Sequence, residues 1–247
     1  MTRSPAHEPS ETVTDTSAEG LDGFSGRYRS AGRRASITCI LLGVVGFFAL
    51  LSMIQAGSGV RIVDDLRAGV LTPKEARDFQ DSTVFAGLQY LCAALATAIA
   101  YLSWLSRTVD NVPELRGGRP LVTPRWSIGW WFIPFANLVK PYQIVRDIHD
   151  RLATNVTSGG GWIVLAWWVS WVPGAVISQV AIRVPVPTSP DPLSTLFSIQ
   201  ETGYGLALLG AILAIVVVLR IQWRADERAD SVGVGLAGGR RWRQIPR

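Results

Sequence analysis

Four stretches of this chain carry no charged side chain over a length that matches a lipid bilayer. Arg34 and Arg61 enclose 26 uncharged residues, Asp81 and Arg107 enclose 25, Arg151 and Arg183 enclose 31, and Glu201 and Arg220 enclose 18. A helix rising 1.5 Å per residue needs about 20 apolar residues to cross a hydrocarbon core of roughly 30 Å. The apolar parts of these runs therefore predict membrane-spanning helices over 36–56, 82–106, 162–182 and 202–219. Charged residues make up 17% of the chain, against about 25% in soluble domains, too few to cover a water-facing surface. The expected class is all-α and polytopic, which excludes an ordinary soluble enzyme.

Lysine and arginine near spans are retained on the cytoplasmic side. Alternate segments, 1–34, 107–151 and 220–247, hold nineteen of the 24 basic residues, and the loops 61–81 and 183–201 hold the other five. Both termini are expected in the cytoplasm of a bacterial plasma-membrane protein, with the net charge of +5 facing an anionic leaflet and no role for nucleic acid. Residues 1–34 are Ser-, Thr- and acid-rich without an apolar core for a cleavable signal, so they read as a disordered tail ahead of a first span that serves as anchor. Residues 35–225 form the membrane domain, and 226–247 a basic tail.

Between the spans the signals are local. Thr72, Pro73 and Glu75 spell a capping box with proline at the first helical position, so the second helix starts near Pro73 and runs to about Arg107. The acids Asp64, Asp65, Glu75, Asp78 and Asp81 share that loop with four bases and read as a solvated surface, not a metal site. Pro185, Pro187, Pro190 and Pro192 favour an extended, polyproline-like connector over 183–201.

The segment Trp126 to Arg151 is the most unusual. Its uncharged part, 126–139, is 14 residues long and contains Pro134, too short to span. The rings of Trp126, Trp130, Trp131, Phe132 and Phe135 suit headgroup depth, and Asn137, Lys140, Pro141 and Tyr142 complete the candidate interfacial or partner-binding set. After Pro141, Ile144, Val145, Ile148 and Leu152 share one helical face, with Arg146/Asp150 and Asp147/Arg151 at i,i+4 spacing. This predicts a cytoplasmic amphipathic helix along the membrane or under the bundle, with His149 on its solvated side.

The stretches YLSWLSRTVDNVPEL (101–115), GWWFIPFANLVKPYQ (129–143) and WWVSW (167–171) resemble the membrane proteins of domain of unknown function 4328, common in actinobacteria, over roughly residues 35–225. The resemblance implies a multispanning domain and assigns no activity, cofactor or substrate.

No span contains an ionisable residue, so the usual mark of proton or ion pathways is missing. Gln89, Thr97, Tyr101, Ser170, Ser178, Gln179, Thr38 and Ser52 are polar positions suited to bonds between helices. Cys39 and Cys92 lie in apolar runs with no catalytic neighbour, and TSGGGW (157–162) lacks the lysine of a phosphate loop, so its glycines read as a hinge. Small residues recur every four positions at Ala166, Ser170, Gly174 and Ser178, and at Gly203, Ala207 and Ala211, as close-packing faces. Arg220, Arg224 and Arg228 follow the last span at i,i+4 spacing, and Arg240, Arg241, Trp242 and Arg243 form a distal cluster suited to anionic lipid. No cofactor and no enzymatic activity is expected. The function that fits is a membrane scaffold or accessory subunit binding lipid, another membrane protein or a second copy. The alternative is a small transporter or channel component carrying a neutral or lipid-like solute past Trp167, Trp171 and Gln179.

Overall fold

The computed structural model describes residues 23–154, 159–183 and 189–234. Their order is α1 (Gly32–Ala68), α2 (Pro73–Asn111), α3 (Pro124–Gly129), a single 3-10 turn at Ala136–Leu138, α4 (Lys140–Arg151), α5 (Trp162–Arg183) and α6 (Pro190–Val232). The described residues contain no strand. Four helices, α1, α2, α5 and α6, are long and apolar enough to cross a membrane. At most 33% of any of their apolar windows is buried within the protein, and rows such as Ile40, Phe47 and Ile54 on α1 or Phe85, Leu95 and Ile99 on α2 stand exposed. Apolar surface of that extent requires lipid as its solvent. The architecture is that of an all-α, multi-pass membrane protein.

Three of the four helices outrun the bilayer. At 37, 39 and 43 residues, α1, α2 and α6 extend about 55–65 Å at 1.5 Å per residue, whereas α5 has 22. Charge-free runs mark where hydrocarbon begins, but a helix continues past that point wherever nothing breaks it. The part of the 61–81 connection ahead of Pro73 is therefore helical as far as Ala68: α1 continues to that residue and stops at Gly69, whose left-handed conformation (φ 68°) lets its N–H cap the preceding turn. Three residues later the capping box forms as anticipated, with the Glu75 N–H donating to Thr72 Oγ1 and the Thr72 N–H to Glu75 Oε2 at 2.9 Å. The expectation of an extended connector over 183–201 is corrected from Pro190 onward, because Pro190 occupies the first turn of α6, where its missing N–H costs nothing. Pro185 and Pro187 lie outside the described residues. Phe79 of α2 and Phe197 of α6 meet edge to face at 5.6 Å.

Small residues set the spacing inside the bundle. A Cβ on Gly174 would stand 3.2 Å from Leu206 Cβ and 3.3 Å from both the Ala207 nitrogen and the Gly203 carbonyl, and Gly203 faces Ile177 and Ser178. The expected small-residue faces of α5 and α6 thus meet each other, with Gly210 against Trp171, while Ala211 meets Gly46 of α1. Ser170 and Ser178 bond back to the carbonyls of Ala166 and Gly174 in their own helix. Thr97 does cross between helices, to the Leu41 carbonyl at 3.0 Å.

Candidate functional site

At the arginine-rich end, where α1 begins and α6 ends, the connection between α2 and α5 folds into a polar cap with an aromatic edge. Pro124 opens α3, and its carbonyl accepts from Ser106 on α2 at 3.1 Å and from Ser127 at 2.7 Å. Exposed Trp126 meets half-buried Trp130 at a tilt, ring centroids 5.4 Å apart, and the Lys140 ammonium lies 5.4 Å above the Trp130 ring. Trp131 behaves differently from its two companions. It packs edge-on against Tyr101 (5.6 Å), Trp168 (6.1 Å) and Trp171 (5.7 Å), so it belongs to an aromatic cluster inside the bundle. Trp168 also donates to the Leu138 carbonyl at 2.9 Å, pinning the 3-10 turn to α5.

The tip of this segment points outward. Phe132 and Phe135 are 73% and 85% exposed, with Leu138 and Val139 beside them, and Pro134 is exposed too. Phe135 adopts φ 63°, a conformation uncommon outside glycine, asparagine and aspartate. Asn137 is half-buried, its N–H donating to the Ile133 carbonyl at 3.0 Å. Pro141 is buried in the first turn of α4 and Tyr142 is half-buried against the core.

The amphipathic reading of α4 holds in detail. Ile144, Val145, Ile148 and Leu152 are buried, and Arg146–Asp150 and Arg151–Asp147 pair at 2.7 Å each. The placement of His149 at the surface is corrected. The residue is 1% exposed, because α4 packs against α5 and Arg224 of α6 reaches over to the His149 carbonyl. Its Nδ1 stands 2.8 Å from Asp150 Oδ1, and Nε2 has no hydrogen-bond partner. Burial lowers the imidazole pKa, and the charges of Arg224 and Arg220 add to that against the opposing pull of Asp150.

The three α6 arginines that follow the last span at i,i+4 spacing all donate to backbone carbonyls. Arg224 is fully buried and donates to the carbonyls of His149 and Gly159. Arg228 donates to those of Leu115, Arg116 and Ala153, and Arg220 to that of Gly159 at 3.0 Å. Helix ends leave carbonyls without intrahelical partners, and this row of guanidiniums satisfies several at the ends of α2 and α4. Alongside, Asp110 accepts from the Ser25 N–H (2.8 Å) and hydroxyl (2.7 Å), and Asn111 exchanges bonds with the Arg29 backbone. Residues 23–31, assigned from sequence to a disordered tail, are thus held against α2. Nothing local in the sequence pairs Ser25 with Asp110, 85 residues away. Arg240, Arg241, Trp242 and Arg243 lie outside the described residues.

Among the described residues no group of three or more His, Cys, Asp or Glu is placed to hold a metal. The arrangement offers a packed aromatic cluster, a polar cap and an apolar tip, which are features of binding. At the opposite end a small cleft of about 70 Å³ opens between α1, α2 and α6, lined by Ser52, Gln55, Thr83, Gln200 and Tyr204 among others. A family model described as Domain of unknown function (DUF4328) matches residues 67–223. No curated protein and no solved structure matches the chain.

Proposed function

The chain belongs to the DUF4328 family, and from that premise we propose that it is a non-enzymatic membrane scaffold or accessory subunit of the bacterial plasma membrane. Its working surface is the tip at Phe132 to Val139, with Trp126, Trp130 and Lys140 at its base, and its occupant is lipid or another membrane protein, including a second copy of itself. The observation that carries this reading is the 85% exposure of Phe135 at φ 63°. A bulky ring held outward in a sparsely populated backbone region costs on the order of 1–3 kcal/mol, and such strain clusters at binding and switch sites. Both termini lie in the cytoplasm in this account, since nineteen of the 24 basic residues fall in the segments at that end.

A photoreactive phenylalanine analogue at position 135, activated in native membranes, tests it. The expected products are adducts with phospholipid or with one discrete protein. Adducts only within the same chain would contradict it. The cleft at Gln55 and Tyr204 favours the second reading, a small transporter for a neutral or lipid-like solute, which solute flux into reconstituted vesicles would reveal. Along the alternative route past Trp167, Trp171 and Gln179, the rings of Tyr101, Trp131 and Trp168 lie against Trp167 and Trp171.

A further inference from the structure

The Gly159–Gly161 turn that leads into α5 collects guanidinium groups. Arg220 and Arg224 both donate to the Gly159 carbonyl, at 3.0 and 2.7 Å. A Cβ on Gly160 would collide with the Arg220 guanidinium, and one on Gly161 with that of Arg146. Gly160, at φ 77°, also holds a backbone conformation that side chains oppose, so glycine is what lets these cations lie on the turn. Three like charges thus converge on one tripeptide. Arg146 is paired with Asp150, whereas among the described residues no carboxylate pairs with Arg220.

Two further observations point to an anion here. The Arg220 Nε is buried and finds no hydrogen-bond acceptor among the described residues, which leaves an open N–H donor on the guanidinium that lies against this turn. The 22-residue α5 begins at the turn, bringing first-turn N–H groups and the positive end of a helix dipole to the same place. The level in the bilayer is also defined. Arg220 is the first charge after 18 uncharged residues, and Trp162, 67% exposed, opens α5 beside it, as indoles do where hydrocarbon gives way to headgroups.

We propose that this turn binds a phosphate group at the membrane surface, with Arg220 and Arg146 as its charge partners and the start of α5 as its backbone cradle. The site is separate from the Phe132–Val139 tip and stands whether or not that tip binds anything. The phosphate of an anionic phospholipid and a soluble phosphate share this chemistry, and competition separates them.

The full-length chain, purified in neutral detergent, is mixed with phosphatidylglycerol or phosphatidylcholine and the retained lipid is counted by native mass spectrometry. Phosphatidylglycerol is expected to be retained in preference. Arg220→Gln should weaken that retention about tenfold, the scale of one lost charge-assisted contact, while Arg220→Lys keeps most of it. Arg183→Gln, at the far end of α5, should leave it unchanged. Millimolar inorganic phosphate that displaces the lipid shows that a soluble phosphate also occupies the turn, and failure to displace it assigns the turn to the lipid headgroup. If Arg220→Gln does not fold, Arg146→Gln carries the same expectation. Retention by a folded glutamine variant equal to that of the unmodified chain, or equal retention of phosphatidylcholine, overturns the proposal.

Discussion

Arg228 Nη2 lies 2.8 Å from the Ala153 carbonyl oxygen, while its Nη1 reaches the Leu115 and Arg116 carbonyls at 3.3 and 3.2 Å. One side chain on α6 therefore ties together the chain just past α2 and the chain just past α4. A point charge cannot replace a planar fork that serves three acceptors in different directions. Arg228→Gln should lower stability by about 1.5–3 kcal/mol, the range for hydrogen bonds to charged groups, and Arg228→Lys should recover only part of it. Denaturant unfolding in detergent, followed by tryptophan fluorescence, gives the comparison.

Gly174 and Gly43 form a matched pair of tests on packing. A leucine at 174 meets backbone atoms of α6 at 3.3 Å and should cost about 1–3 kcal/mol by overpacking. Gly43 is exposed and has nothing within 4 Å, so leucine there should change the thermal midpoint little. Equal losses at both positions would contradict the α5–α6 contact described here.

His149 gives the protein a pH dependence of defined sign. Burial holds its pKa below the ordinary value of 6.5, so below that pH the unfolded chain takes up a proton that the folded chain resists. Stability should therefore fall as pH drops below about 6.5, by about 1.4 kcal/mol for each unit of depression. Asp150, where burial raises the pKa but the bonds to Arg146 and His149 outweigh it and leave the value below 3.8, also loses stability as pH falls, but only below about 3.8, and so leaves this window alone. His149→Gln should flatten the curve between pH 8 and 5. A loss of stability in that window as large as that of the unmodified chain would assign the effect to another group.

Reporter fusions before Gly32 and after Val232 should report the same compartment, the cytoplasm, because the spans are even in number and the basic residues gather at that end. Opposite reports would require a fifth crossing.

The legible part of this structure is the part that a bilayer dictates. Charge-free runs located all four spans, and Thr72–Pro73–Glu75 located the start of α2, because hydrocarbon and backbone capping act on neighbouring residues. The length of α2 was legible from Pro73 to about Arg107 against the observed Pro73–Asn111, whereas those of α1 and α6 were not. Arg61 to Ala68 and Pro190 to Glu201 are charged or proline-containing yet helical, and leaving the hydrocarbon does not end a helix. The buried face of α4 was visible in its 3.6-residue period, but the depth of His149 depends on what α5 and α6 place over it. Trp131 differs from Trp126 and Trp130 only through contacts with Tyr101, Trp168 and Trp171, which lie on distant helices. The arginine row at 220, 224 and 228 was visible as spacing. Its acceptors, backbone carbonyls at Leu115, Arg116, His149, Ala153 and Gly159, have no signature in side-chain identity.

The account turns on where the exposed tip sits. With Cys39 and Cys92 replaced by alanine, a fluorophore on Phe135→Cys in vesicles can be quenched by lipids brominated at shallow or deep acyl positions, or by aqueous iodide. The tip reading predicts strongest quenching by shallow bromines, placing position 135 at headgroup depth where lipid or a membrane partner meets it. Quenching by iodide alone, with no response to brominated lipid at either depth, would put the tip in water and contradict the proposed binding surface.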